Sequence, residues 1–182
     1  MINSIYYLPG HGGRLTTGLG EALTQRGLAI VGRETVGEFL ALPFLEQVAL
    51  VADDLQANFW SPNAVVIANS FGAYLFLHAQ ASILPYPGRA LILSPIVGDF
   101  QNEGIGAFFS PPYPKLLEEL AEAKVFPSPL NAQIHVGSED WQSNPDQVQR
   151  FGELTKIPVT IVHGAGHMLP KSYVANLLDE WL

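Results

Sequence analysis

Short apolar runs recur along the chain, and in several of them every residue is apolar. They lie at positions 5–8, 29–31, 64–67, 90–93, 133–136 and 158–162. Strands that are apolar on both faces are typical of a parallel sheet that is covered on both sides. The pattern therefore predicts a mostly parallel sheet of about six strands.

Between these runs, apolar residues return every three or four positions, which is the spacing of an amphipathic helix. The residues with this spacing are Leu45, Val48, Ala52, Leu55 and Phe59; Leu116, Leu117, Leu120 and Ala121; Val148, Phe151 and Leu154; and Val174, Leu177, Leu178 and Trp181. Strands that alternate with helices place helices on both faces of the sheet. We therefore predict a three-layer α/β/α sandwich.

Length and composition favour a folded chain with one core. The chain has 182 residues, of which 48% are hydrophobic and 14% are charged. This length is near the common size of one domain, and such a domain buries about 70% of its unfolded surface. We expect a single domain over 1–182.

The charge distribution argues against several partners. Seventeen acidic residues against nine basic ones give a formal net charge of -8, and Lys and Arg form no cluster. Nucleic acid and anionic membranes attract positive patches. No apolar run approaches the roughly 20 residues that span a bilayer, and the first residues lack the basic segment of a signal peptide. We expect a cytoplasmic protein that binds neither nucleic acid nor membrane.

The absence of cysteine narrows the chemistry further. Without cysteine the chain has no thiol nucleophile, no thiolate metal site and no disulfide. Serine, histidine, carboxylate and backbone groups must then supply the reactive atoms. Because ligands of open α/β sheets bind beyond the carboxyl ends of the strands, the candidates are the residues that follow each predicted strand.

Ser70 stands at a predicted junction of strand and helix, within the sequence A-N-S-F-G at 68–72. A serine on such a sharp turn exposes its hydroxyl, and small residues two before and two after it let the backbone pass closely. The helix that begins there directs free N–H groups at any developing anion. The junction predicts a nucleophile elbow, and a serine that only caps the helix is the alternative.

This segment resembles the G-x-S-x-G elbow of the α/β-hydrolase superfamily. Ser70 and Gly72 match the pattern, and Ala68 replaces the first glycine. The replacement is mild because alanine has the smallest side chain that carries a Cβ. The resemblance implies a small serine hydrolase without a large lid, in which a histidine and an acid follow the serine in that chain order.

The resemblance extends to the turn after the fifth run, V-G-S-E-D-W at 136–141, where the family carries its acid. It implies that Asp140 accepts a hydrogen bond from the catalytic histidine and stabilises the imidazolium. Glu139 is the rival within the same turn. Asp99 is the second alternative, because some members of this fold take their acid from the preceding strand.

The glycine loop after the last run, H-G-A-G-H-M at 163–168, resembles the family's histidine loop. Gly164 and Gly166 match the G-x-G-H setting, which makes His167 the implied general base. Imidazole titrates near neutral pH, so it can take the serine proton and return it to a leaving group. His78, His135 and the neighbouring His163 receive structural interpretations.

The loop L-P-G-H-G-G at 8–13 resembles the H-G-x loop of the family, with Pro9 where a histidine often stands. The resemblance implies that the backbone N–H groups of His11 and Phe71 form the oxyanion hole. A phosphate-binding loop is the alternative for such a glycine-rich turn, but no Lys-Ser/Thr pair follows it.

Aromatic residues predict an apolar substrate wall. The segment 98–114 is a possible short cap, and the candidate pocket residues are Phe100, Phe108, Phe109 and Tyr113, together with Trp141 and Met168 beside the acid and the histidine. Such a wall favours a small acyl or aryl ester as substrate.

The resulting hypothesis is ester hydrolysis through a covalent acyl-enzyme, with a small acyl substrate and water as the only reactants. An amidase or peptidase and a thioesterase would use the same machinery. A binding or scaffold protein that retains the fold without turnover is the alternative from a different class. No cofactor is expected.

A metal site formed by His11, His163, His167 and Asp140 is a further alternative. The chain has no H-E-x-x-H sequence or comparable ligand spacing. We therefore expect no metal ion in the site.

Overall fold

The computed structural model describes residues 4–182 and contains eight strands and seven α-helices over that range. The strands are β1 (Ser4–Leu8), β2 (Ala29–Gly32), β3 (Val65–Asn69), β4 (Arg89–Leu93), β5 (Phe100–Asn102), β6 (Ala107–Phe109), β7 (Asn131–Gly137) and β8 (Val159–Val162). The helices are α1 (Leu19–Thr24), α2 (Gly37–Ala41), α3 (Phe44–Asn58), α4 (Phe71–Gln80), α5 (Leu116–Glu122), α6 (Pro145–Thr155) and α7 (Lys171–Trp181).

Six of the strands form one sheet in the order β2-β1-β3-β4-β7-β8, and every neighbouring pair is parallel. Each of the six apolar runs lies in or overlaps one of these strands. Each of the four stretches with helical spacing lies in or overlaps a helix, namely α3, α5, α6 and α7. The predicted fold class is therefore confirmed.

The sheet separates two layers of packing. Tyr6 and Leu8 of β1 belong to a core that includes buried side chains of α3, α4, α5 and α6, whereas Ile5 and Tyr7 belong to a second core with α1 and α7. Alternate residues of a strand point to opposite faces, so one strand contributes to both cores. This arrangement explains why the central strands are apolar at nearly every position.

The strand register aligns the carboxyl ends of the strands at one edge of the sheet. Leu8 lies opposite Ala68, Asn69 lies opposite Leu93, and Leu93 lies opposite His135. The loops that follow β1, β3 and β4 therefore begin side by side. The loops after β7 and β8 join them, because Gly137 lies opposite Val162.

The segment 98–114 contains the antiparallel hairpin of β5 and β6, joined by a 3-10 turn at Glu103–Ile105. The sequence pattern did not predict this hairpin, nor the short helices α1 and α2. Strands of three residues and a helix of five residues are too short to display a period. The described residues contain no helix that is both long and apolar enough to cross a bilayer.

A buried hydroxyl and an ion pair meet between β1 and α3. The Tyr6 hydroxyl donates to Asp54 Oδ2 at 2.7 Å, and the Arg33 guanidinium donates to both Asp54 oxygens at 2.7 Å. Burial, with the nearby carboxylate, raises the pKa of Tyr6 well above its ordinary value. Asp54 therefore accepts three hydrogen bonds that join the sheet to a helix.

We expect Asp54→Ala to lower the free energy of unfolding by about 1–3 kcal/mol, because the Tyr6 hydroxyl loses its acceptor in the protein interior. Urea unfolding followed by circular dichroism measures the change. Asp179→Ala is the matched control, since it removes the more exposed ion pair with Arg26 and should cost less than about 1 kcal/mol. Equal losses in the two variants would contradict this account.

Candidate functional site

Ser70 occupies a strained backbone position between β3 and α4. Its φ is 53° and its ψ is -120°, a region that non-glycine residues avoid at a cost of about 1–3 kcal/mol. Two backbone hydrogen bonds hold this conformation: Ser70 N–H donates to the Leu93 carbonyl at 2.9 Å, and Tyr74 N–H donates to the Ser70 carbonyl at 3.0 Å. The strand-to-helix junction is therefore an elbow with a serine at its corner.

Gly72 lets the elbow approach the end of β1. A Cβ at this position would lie 2.2 Å from the Leu8 carbonyl oxygen and 2.4 Å from that of Pro9, which no side chain can satisfy. Position 68, by contrast, has room for a side chain that carries a Cβ. Ala68 is fully buried within the core, so its methyl group is accommodated there.

His167 connects Ser70 to Asp140. Its Nε2 lies 2.7 Å from Ser70 Oγ, and its Nδ1 lies 3.0 and 2.9 Å from the two carboxylate oxygens of Asp140. A carboxylate can only accept, so the geometry requires the proton on Nδ1 and leaves Nε2 to accept from the serine hydroxyl. The three side chains form a continuous relay of hydrogen bonds.

Asp140 is buried, and the backbone around it stabilises its negative charge. The side chain has 0% exposure, and its Oδ1 accepts from the N–H groups of Gln142 at 2.9 Å and Ser143 at 2.8 Å. Buried carboxylates require such donors because desolvation disfavours the charge. The turn after β7 therefore holds a carboxylate at the histidine.

Ser143 links the acid turn to the end of β4. Its hydroxyl donates to the Ser94 carbonyl at 2.5 Å and lies 3.4 Å from His167 Nδ1. The side chain is fully buried. The sequence did not predict that Ser143 joins the acid turn to the end of β4, because this contact depends on which loops meet in the folded chain.

The turn after β7 also packs on the histidine loop. A Cβ at Gly137 would lie 2.2 Å from the Ala165 carbonyl oxygen, and Glu139 N–H donates to the same carbonyl at 2.8 Å. The backbone of the acid turn thus fixes the loop that ends at His167. The Glu139 side chain is exposed and makes no hydrogen bond to the histidine within residues 4–182.

The loop after β1 lies against the elbow. A Cβ at Gly10 would be 3.2 Å from the Ser70 Cβ and 3.7 Å from its Oγ. Within the described chain, the backbone N–H groups of His11 and Phe71 donate to no protein acceptor. The two rings meet edge to face, with centroids 5.8 Å apart. The two segments that meet at the serine therefore each carry an unpaired backbone donor.

The alternative acid and the remaining histidines lie apart from this relay. Asp99 lines a cavity beside α5 and α6, and its Oδ1 is buried without a partner among the described residues. Burial lowers the pKa of His78 to about 4, and it also lowers the pKa of His135, which contacts the Tyr173 hydroxyl. His163 is exposed in the glycine loop.

Five of the six predicted pocket residues fall into two aromatic groups, and Met168 belongs to neither. Phe100 packs against Phe109 at 4.9 Å and Trp141 at 5.7 Å between ring centroids, and a cavity of about 270 Å³ is lined by Phe100, Phe108 and Trp141. Neither Ser70 nor His167 lines that cavity. Tyr113 belongs to the second group.

The second aromatic group lies on the side of the elbow helix. Tyr113 is half exposed and lies 6.1 Å from the Phe44 ring, which in turn lies 6.4 Å from Phe71. Phe44 is the first residue of α3, one position before the predicted helical spacing begins, and the sequence assigned it no functional role. Met168, 85% exposed, is next to His167 in the chain.

The geometry does not support the alternative of a metal site formed by histidine and carboxylate side chains. Over residues 4–182, no group of three or more histidine, aspartate or glutamate side chains is arranged to hold a metal ion.

Comparisons of sequence find no family profile and no curated protein that matches the chain. Comparisons of structure find many similar folds. The ydeN gene product of Bacillus subtilis is 11% identical, with 98% of this chain and 97% of that chain covered and a TM-score of 0.66. The carboxylesterase CesB (YbfK) of Bacillus subtilis is 15% identical, with coverage of 98% and 83% and a TM-score of 0.68.

An α/β-hydrolase enzyme from the metagenome of lagoon sediments at Mar Chica, Morocco, is 16% identical, with coverage of 100% and 90% and a TM-score of 0.63. Identities this low show the fold alone. The chain has the α/β-hydrolase fold over the described residues 4–182.

We expect Gly72→Ala to unfold the protein or to lower its free energy of unfolding by more than about 3 kcal/mol, because the new Cβ overlaps two carbonyl oxygens. Ala68→Gly restores the family pattern at a site without that overlap and should cost about 1 kcal/mol. Urea unfolding of both variants checks the prediction. A folded Gly72→Ala protein with unchanged stability would contradict it.

Proposed function

We propose that this chain is a serine hydrolase that cleaves small carboxylic esters through an acyl-enzyme. The relay of hydrogen bonds from Ser70 Oγ through His167 to the buried Asp140 is the observation that carries the proposal. A serine hydroxyl is a weak nucleophile until an adjacent base accepts its proton. In this relay the base is within reach of the serine, and the acid orients the base.

In the first half of the reaction, Ser70 Oγ attacks the ester carbonyl carbon and its proton passes to His167 Nε2. The C–O bond to the leaving alcohol then breaks, and the imidazolium gives its proton to the leaving oxygen. Water enters in the second half, gives a proton to the imidazole and attacks the acyl carbon. The acid leaves, Ser70 regains its proton, and no external reactant besides water is consumed.

The tetrahedral intermediates carry a negative oxygen that needs donors. The N–H groups of His11 and Phe71 are assigned this role because they are unpaired and because Phe71 follows Ser70 and His11 follows Gly10, which lies beside Ser70. Phe71 is also the first residue of α4, so the partial positive charge of the helix N-terminus reinforces its N–H. Each such donor contributes about 2.7–4 kcal/mol of transition-state stabilisation in comparable sites.

The fold supports this proposal at a coarser level. Solved structures with the same fold include CesB, which is named a carboxylesterase. The catalytic roles rest on the geometry of this chain's own side chains, because the neighbours are only distantly similar in sequence. Amides and acyl-thioesters are alternative substrates of the same relay, and only a direct assay separates the three classes.

A fluorophosphonate probe tests the nucleophile. We expect the wild-type protein to be labelled at Ser70, with the adduct located by mass spectrometry, and Ser70→Ala to remain unlabelled. A panel of p-nitrophenyl esters, the matching amides and acyl-thioesters then defines the leaving group. A folded wild-type protein that neither reacts with the probe nor hydrolyses any substrate would support the scaffold alternative.

Asp140→Asn tests the acid against its alternative. We expect kcat to fall by about 10³ to 10⁴-fold, because an amide no longer holds the productive tautomer of His167. Asp99→Asn should retain most of the wild-type kcat, since Asp99 makes no hydrogen bond to His167 within the described residues. The reverse result would assign the acid to Asp99.

The position of the leaving group helps to decide which of the two aromatic groups would bind the acyl part of the ester. His167 must protonate the leaving oxygen, so the alcohol lies on the side of His167, and the oxyanion faces the two N–H donors. We assign the acyl group to the aromatic row of Phe71, Phe44 and Tyr113, because this row begins at the residue next to Ser70. An acyl chain that covers part of this row gains about 0.8 kcal/mol per buried methylene.

Tyr113→Ala should therefore lower kcat/KM for p-nitrophenyl hexanoate by about fivefold to tenfold and leave that for the acetate within about twofold. Phe108→Ala is the matched control, because it removes a similarly exposed aromatic ring from the other group. Initial rates with the two esters give the comparison. Selective loss of hexanoate activity in Phe108→Ala alone would move the acyl site to the hairpin.

A further inference from the structure

We propose that Thr35 is a positioning residue that aims the His11 N–H at the oxyanion, an inference that rests on the proposed ester hydrolysis. Thr35 follows β2 and is fully buried. It lies outside every motif that the sequence displays. Its contacts all reach the loop after β1, which holds one of the two assigned donors.

Thr35 binds this loop through its side chain and its backbone. Its hydroxyl donates to the Gly10 carbonyl and accepts from Gly13 N–H at 3.0 Å. Its backbone accepts from Gly12 N–H at 3.0 Å and donates to the Gly13 carbonyl at 3.1 Å. A single buried residue therefore satisfies four polar groups of a glycine-rich turn that has few side chains of its own.

The contact with the Gly10 carbonyl fixes a peptide plane. The Gly10 carbonyl and the His11 N–H belong to one planar unit, and in a trans peptide these two groups point in opposite directions. The described residues contain no cis peptide bond. When Thr35 holds the carbonyl, the His11 N–H must point away from Thr35.

Gly10 is in contact with the nucleophile as well. A Cβ added to Gly10 would lie 3.2 Å from the Ser70 Cβ, so the fixed peptide unit begins beside the reacting serine. Within the loop, only the Gly13 N–H among the described residues also donates to the Gly10 carbonyl, at 2.9 Å, and Gly12 and Gly13 restrict the backbone little. The Thr35 hydroxyl is thus the side-chain group that adds to this backbone bond and holds the Gly10–His11 peptide unit before substrate binds.

A donor that acts only on the oxyanion changes kcat without changing substrate binding. We expect Thr35→Val, which has nearly the same shape but no hydroxyl, to lower kcat for p-nitrophenyl acetate by about tenfold to a hundredfold, with KM within about twofold. Thr35→Ser keeps the hydroxyl and should restore kcat to within about threefold of the wild-type value.

Thr155→Val is the matched control for loss of a buried threonine hydroxyl. Thr155 lies at the end of α6 and donates to the Phe151 carbonyl at 2.7 Å, remote from the elbow. The Thr155→Val variant should have a lower free energy of unfolding and an unchanged kcat. If Thr35→Val does not fold, Thr35→Ala is the second variant, and Thr35→Ser remains the comparison. Equal kcat in the Val, Ala and Ser variants would overturn the proposal.

An amide measurement separates this proposal from the proposed function. In ¹⁵N-labelled protein without substrate, Thr35→Val should shift the His11 amide resonance and increase its backbone motion, while Thr35→Ser leaves both near wild type. If the wild-type protein reacts with neither esters nor the fluorophosphonate, the proposed function fails. The amide measurement then still tests whether Thr35 orients the His11 N–H. A His11 amide that remains fixed in Thr35→Val would overturn the role of Thr35.

Discussion

The close approach of Gly72 to the backbone of β1 sets the distance between the elbow and the loop that faces it. The Leu8 and Pro9 carbonyl oxygens occupy the space that any side chain at position 72 would need. The strained backbone of Ser70 is therefore held between a helix that begins at Phe71 and a neighbouring strand end. The pairing of β1 with β3 brings the first loop to the serine, and this pairing depends on the strand order of the sheet.

Much of this architecture could be predicted from the sequence, because the physical signals are local. Central strands must be apolar on both faces when helices cover both sides, and the runs at β1, β3 and β4 show this directly. The backbone requires glycine at Gly72 of the elbow, which closely approaches β1, and at Gly164 of the histidine loop, whose φ is 71°. His167 lies within hydrogen-bonding distance of both Ser70 and Asp140, and the catalytic roles of the three residues stay predictions.

The remaining features could not be predicted because they depend on contacts between distant segments. Thr35 and Ser143 are ordinary polar residues in the sequence, and their partners lie in loops that the strand order brings together. The same reason applies to Phe44, which meets Phe71 only after α3 packs beside α4. The β5–β6 hairpin is too short for a period, so its pairing has no signature in the order of residues.

The hydrogen bonds of Ser143 complete a closed cycle. From the Ser70 side chain the bonds run through His167 to Asp140, then through the Ser143 backbone and hydroxyl to the Ser94 carbonyl. Ser94 follows Leu93, whose carbonyl accepts from the Ser70 backbone. The cycle returns to the residue from which it began, so the acid, the base and the nucleophile are each held from two sides. Although the three residues come from distant loops, the loss of one hydrogen bond of the ring leaves each of them tethered by its other bond.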